Sequence, residues 1–91
     1  MSTSKGTFLV KNRLGLHARA AAKLTQTASR YPCDVMVAHG GQAVNAKSVM
    51  GLLLLCGAKG TELQVEASGE QSEEAVAAIG TLIDSLFGEE E

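Results

Sequence analysis

Along residues 61–68 apolar and polar side chains alternate without a break, with Leu63, Val65 and Ala67 set against Glu62, Gln64 and Glu66. A period of two sends each set to its own face, so Thr61 to Ser68 reads as a half-buried strand with one wet side. Thr7 to Asn12 follows the same rule, with Phe8 and Val10 on one side and Thr7, Leu9 and Lys11 on the other. Cys33 to Ala38 gathers Cys33, Val35 and Val37 on one face. His39-Gly40-Gly41 then supplies a turn, and Gln42 to Ala46 returns as the partner strand of a hairpin.

Elsewhere the period lengthens. Ala21, Leu24, Ala28 and Tyr31 recur every three or four residues, which predicts a helix from Ala18 to about Arg30. Its apolar stripe is narrow and rich in Ala, so neighbours can approach closely. Pro32 biases Tyr31 away from helical dihedrals and ends the segment. Ser48 opens a short helix that runs to about Cys56, with Gly57 as its stop. The last helix spans about Glu70 to Phe87, with Val76, Ile79, Ile83 and Leu86 facing inward and Glu73 and Glu74 near its positive end. Glu89-Glu90-Glu91 reads as a frayed acidic tail. The order is strand, helix, strand, strand, helix, strand, helix. An α+β fold satisfies it: a four-stranded antiparallel sheet with all three helices on one face, in one domain over 1–91.

Composition narrows the functional classes. Aromatic residues make up 3% of the 91-residue chain and Trp is absent, so the core is aliphatic and the surface lacks base-stacking platforms. A net charge of −2 argues against nucleic-acid and anionic-membrane partners. No apolar run approaches the roughly 18 residues of a membrane span, and the polar start Met1-Ser2-Thr3-Ser4-Lys5-Gly6 is unlike a secretory signal. A cytoplasmic protein is expected. Cys33 and Cys56 then read as buried small hydrophobes, and no Cys/His spacing suggests a metal site.

The stretch Gly15-Leu16-His17-Ala18-Arg19-Ala20 carries the candidate chemistry. Gly15 permits a tight turn between strand and helix. His17 then sits where the first helical amides, those of Ala18 and Arg19 onward, lack intrahelical acceptors, so donors and helix dipole together favour an anion. An imidazole near neutral pH can be an unprotonated nucleophile, and Arg19 brings a permanently charged planar guanidinium. A phosphoryl group on the ring would have its oxygens facing those amides. Taken alone, a histidine after a glycine is more often a capping or loop residue than a nucleophile, and an arginine such as Arg19 is usually a solvated charge.

The second motif settles the balance. Gly15-Leu16-His17-Ala18-Arg19, followed by Asn45-Ala46-Lys47-Ser48-Val49-Met50-Gly51 and Ala58-Lys59-Gly60, resembles the HPr family, the phosphocarriers of the bacterial phosphoenolpyruvate-dependent phosphotransferase system. The resemblance covers about Thr7 to Phe87. It implies an open-faced β-sandwich and a relay protein rather than an enzyme that turns over alone, with no cofactor. It implies that His17 is phosphorylated on Nδ1 by the phosphoenolpyruvate-using enzyme, that Arg19 lies beside the phosphate, and that A-type permease or regulatory components accept the group. Ser48 matches a serine that, in many relatives, a dedicated HPr serine kinase/phosphorylase modifies. Ala20 stands where many members have Pro. With Val44-Asn45-Ala46-Lys47-Ser48 it looks similar to proteobacterial versions serving reduced or nitrogen-related branches, so both sugar uptake and metabolic or nitrogen regulation stay open.

Ser48 has a second reading as a plain N-cap, and the two are compatible because a helix N-terminus tolerates phosphate. The helix behind it, with Val49, Met50, Leu52, Leu53, Leu54 and Leu55, is apolar nearly all round. Leu52 and Leu55 are expected inward, leaving Met50 and Leu53 partly exposed beside His17 as a docking patch together with Leu16. The competing function is a regulatory binding module governed by Ser48 phosphorylation, without histidyl transfer. A small interaction domain without phosphorylation is the third. A monomer is expected in each case.

Overall fold

The structure is a computed structural model and describes residues 2–55 and 57–91. Four strands, β1 (Thr3–Leu9), β2 (Asp34–His39), β3 (Gln42–Asn45) and β4 (Glu62–Ser68), form one antiparallel sheet in the order β1-β4-β2-β3. Three helices, α1 (Ala18–Ala28), α2 (Val49–Leu54) and α3 (Ser72–Asp84), cover one face, and a short 3₁₀ turn spans Leu86–Gly88. This is the open-faced arrangement that the alternating strands require.

Inward positions follow the period of two. Val35, Val37, Leu63, Val65 and Ala67 are buried, while Met36, Glu62, Gln64 and Glu66 between them are exposed. Val65 lies opposite Gly6 on one side and Val37 on the other, so a single row crosses the sheet. Above it, Ala20, Ala21, Leu24 and Ala28 of α1, Leu52 of α2, and Ala75, Ile79 and Ile83 of α3 are fully buried. Each large aliphatic side chain removed from water contributes about 1.5–3 kcal/mol.

β1 begins earlier than the apolar pattern indicates and ends before Asn12. Its first residues are polar, and their order comes from pairing with β4, in register from Thr3↔Ser68 to Leu9↔Glu62. A slot for Phe8 also explains two small residues. A Cβ on Gly6 would stand 2.8 Å from Phe8 Cζ and one on Gly80 2.3 Å from Phe8 Cε1, so the ring fills the space that both glycines leave. Gly80 sits inside α3, where glycine costs about 1 kcal/mol relative to Ala, and the close approach of α3 to the sheet is what it permits.

The expected helix ends also shift. α2 stops at Leu54, with Leu55 as its C-cap, before Gly57 is reached; Cys56 lies outside the described residues. α3 stops at Asp84 instead of Phe87 because Leu86 and Phe87 take positive φ values of 61° and 54°. That reversal replaces Leu86, which is half-buried, with Phe87, which is fully buried, as the last core residue.

Candidate functional site

The loop between β1 and α1 is built around a glycine. Gly15 has φ +69°, and a Cβ there would lie 2.5 Å from the Gly57 carbonyl oxygen, so neither the dihedral nor the space suits another residue. The next amide, Leu16 N, donates to that same carbonyl at 2.7 Å, and the Leu16 side chain is 5% exposed. Asn12, fully buried, donates from Nδ2 to Gly15 O at 2.8 Å and closes the loop from the other side.

This frame sets His17 at the N-cap of α1 with extended dihedrals of −78° and 178°. Its carbonyl accepts from Ala21 N at 2.8 Å, and its ring Nδ1 accepts from Arg19 N at 3.3 Å. Nδ1 therefore faces the open end of the helix, where the amides of Ala18 and Arg19 are unclaimed by intrahelical carbonyls. The side chain is 26% exposed, enough for another molecule to reach it. Arg19 and Ala18 are exposed and line a groove with Arg13, Leu14, His17 and residues 89–91. His17, Arg19 and the helix amides are thus brought together.

The acidic tail is part of the site, which corrects the reading of Glu89-Glu90-Glu91 as frayed. After the reversal at Phe87, Glu89 Oε2 pairs with His17 Nε2, and Glu89 Oε1 accepts from Asn12 Nδ2 at 2.9 Å. Arg13 N donates to Glu91 O at 2.9 Å, and Arg13 Nε lies 3.3 Å from Glu91 Oε2. Lys23 Nζ donates to Phe87 O at 2.6 Å. The hydrogen bond from Asn12, then that from His17, holds the Glu89 carboxyl below its ordinary range, against the opposing effect of burial. Three glutamates in a row carry no apolar period, so pattern alone points to solvent. The available signal was Phe87-Gly88, an aromatic anchor and a turn residue directly before them.

Ser48 is the N-cap of α2, with its Oγ accepting from Gly51 N at 3.1 Å. The segment before it is tied down as well: Asn45 Oδ1 accepts from Lys47 N and Lys47 Nζ donates to Tyr31 O, both at 2.9 Å. Of the expected docking residues, Met50 is 72% exposed, and Leu53 is half-buried against the core that Leu52 and Leu55 enter. Leu16 is corrected as an exposed docking residue: its side chain is buried beneath the loop and only lines one of the two grooves that border His17, whereas Leu14, 59% exposed, lines both. Leu54, 66% exposed, extends the apolar surface of α2. Those two grooves are lined by the β1–α1 loop, the tail, Gly57 and Ala58 rather than by Met50 or Leu53. Among the described residues, no cluster of His, Cys, Asp and Glu could hold a metal ion, and no helix is long and apolar enough to cross a membrane.

Comparison with known proteins identifies the family and the fold. Residues 4–85 match the family model described as "PTS HPr component phosphorylation site". The phosphocarrier protein HPr of Neisseria meningitidis serogroup B is 46% identical over 96% of this chain and 98% of its own length. The phosphocarrier protein NPr of Escherichia coli K12 is 42% identical over 97% and 99%. Among solved structures, an HPr from Thermoanaerobacter tengcongensis superposes with a TM-score of 0.93 at 42% identity, covering 97% of this chain and 99% of that one. A strand–glycine–histidine–helix site on this sheet, matched over nearly the full length by such relatives, places the chain in the HPr family of phosphotransferase-system phosphocarriers.

Proposed function

We propose that His17 carries a phosphoryl group on Nδ1, received from the phosphoenolpyruvate-dependent enzyme of the phosphotransferase system and passed to A-type acceptor components. The observation that carries this reading is the Nδ1 edge of His17 turned toward the α1 N-terminus, with Arg19 N 3.3 Å away. Once phosphorus is bonded to Nδ1, its oxygens replace the ring as acceptors for the amides of Ala18 and Arg19, and the helix dipole favours their charge. The exposed Arg19 guanidinium neutralises the group as it moves between proteins. Transfer of this kind is mostly positioning and electrostatics, which a small carrier can supply together with its partner.

Ser48 is the regulatory position, modified by an HPr serine kinase/phosphorylase. The added charge would sit at the α2 N-terminus next to exposed Met50, changing the surface that partners read more than the fold. Met50 and Leu53 of α2, with Leu14 beside His17, form the docking surface. The chain works in the cytoplasm as one domain and as a monomer, in sugar uptake or in metabolic and nitrogen regulation. A module governed by Ser48 alone would leave the nucleophile at the α1 end without use.

The relay is tested by following one phosphoryl group through it. The protein is phosphorylated by the donor enzyme with phosphoenolpyruvate, separated from both, and mixed with an A-type acceptor. The label should leave His17 and reach the acceptor; a label that stays, or is lost only to water, rejects the carrier role.

A further inference from the structure

We infer that Glu89 is a positioning residue for phosphoryl transfer: its carboxylate fixes the His17 imidazole in the tautomer whose free lone pair is on Nδ1, and faces the charge the ring gains on phosphorylation. This rests on the reading of His17 as the carrier and adds a role for the tail that the reading does not need. A neutral imidazole has one N–H. Nδ1 accepts from Arg19 N, and Nε2 meets a carboxylate that can only accept, so the ring proton belongs on Nε2. The opposite tautomer would set Nδ1–H against the Arg19 N–H and leave Nδ1 without a lone pair for phosphorus.

Glu89 is itself held in place. Asn12, buried and bonded to Gly15, donates to its second oxygen. Glu89 N donates to Leu86 O at 2.9 Å, Phe87 is fully buried, and Lys23 and Arg13 bind the tail on either side through Phe87 O and Glu91 O. Leu86 and Phe87 are consecutive non-glycine residues in the left-handed region, a strained backbone that persists only where the surroundings fix it. The strain turns the chain so that Glu89 returns to the Nε2 edge.

In the transfer step the Nδ1 lone pair forms the P–N bond as the donor's bond to phosphorus breaks, and the donor's leaving atom keeps that electron pair. The ring retains its proton on Nε2 and becomes an imidazolium, whose charge the Glu89 carboxylate stabilises, as an acidic residue does for a catalytic histidine in a hydrolase triad. In onward transfer the P–N bond breaks, its electron pair returns to Nδ1, and the ring is again neutral with Nε2–H. The carboxylate and the phosphoryl group use opposite nitrogens, so neither has to leave for the other to arrive.

The test uses the full chain and its Glu89→Ala, Glu89→Gln and Glu62→Ala variants, each checked for folding by its amide spectrum. Without any donor, the wild type should show a downfield Nε2 ring proton protected from solvent exchange, lost in Glu89→Ala. With the donor enzyme and phosphoenolpyruvate, Glu89→Ala should slow the saturated rate of His17 phosphorylation about tenfold, with little change in the concentration needed for saturation. Glu89→Gln, which keeps an acceptor but not the charge, should fall between, and Glu62→Ala, on the wet face of β4, should match the wild type. An unchanged Glu89→Ala rate on a phosphorylatable protein overturns this inference alone, and a faster one shows an occluding tail instead. A wild type that never becomes phosphorylated removes the carrier reading and this inference with it.

Discussion

Asn12 and Glu89, 77 positions apart, are joined by a hydrogen bond of 2.9 Å from Nδ2 to Oε1. The same Nδ2 donates to Gly15 O at 2.8 Å, so one buried amide links the turn that sets His17 to the tail that contacts its ring. Asn12 is hydrogen-bonded to both sides of the site, at Gly15 O and at Glu89 Oε1.

Replacing that amide should therefore affect fold and site together. Asn12→Ala takes one of two donors from Gly15 O, which keeps the His17 amide, and removes the donor to Glu89 Oε1; removing one partner of buried hydrogen bonds costs about 1–3 kcal/mol. The urea midpoint should fall with an unchanged slope. Phosphorylation of His17 should slow as well, to a degree similar to Glu89→Ala.

Gly15→Ala tests the turn. At φ +69° and 2.5 Å from Gly57 O, an added methyl meets both backbone strain and a fixed carbonyl. The loss should be at least about 2 kcal/mol, read as a lower thermal midpoint. A stability equal to wild type would mean that the loop has another accessible path.

Ser48 separates cap from switch. Ser48→Ala removes the acceptor for Gly51 N and should cost about 0.5–2 kcal/mol, while Ser48→Asp keeps a capping oxygen and should stay near wild type. Neither should stop His17 phosphorylation, since the Ser48 cap belongs to α2 and the His17 cap to α1.

The docked tail should respond to acid. Hydrogen bonds from Asn12 and then His17, aided by the charges of His17 and Lys23 and opposed by burial, put the Glu89 carboxyl below its ordinary value of 4.5. A carboxyl with a lowered folded value contributes stability that is fully present above its unfolded value and is lost as pH falls through the folded one. Tail docking should thus be complete above about 4.5 and weaken below it. Glu91 lies on the same tail segment as Glu89 and its carbonyl accepts from Arg13 N of the β1–α1 loop, so hydrogen exchange at Arg13 N is the measurement. Its protection should fall in that acid window, and Glu89→Gln should flatten the dependence on Glu89 itself.

Much of this molecule can be read from its sequence, for local reasons. β4 and β2 alternate strictly because each has one wet face, and Leu63, Val65, Val35 and Val37 are buried in turn. His17 and Ser48 stand out because helix N-termini have their own chemistry, and both are N-caps whose side chains accept from a helix amide. What pattern does not carry is long-range. The polar first half of β1 is a strand only because β4 lies beside it. Gly6 and Gly80 look permissive alone and become necessary only with the Phe8 ring between them. Glu89 gains its place from Phe87 in the core and from Asn12 at the opposite end of the chain, neither of which a local charge run reveals.

The carrier role itself turns on which residue takes up phosphorus. The protein and its His17→Ala variant are each incubated with the donor enzyme and phosphoenolpyruvate, and their intact masses are recorded before and after brief treatment with acid or alkali. The wild type should take up one phosphoryl group, lost in acid and kept in alkali, and the variant none. A wild type that stays unmodified, or an acid-stable adduct that persists in His17→Ala, would contradict it.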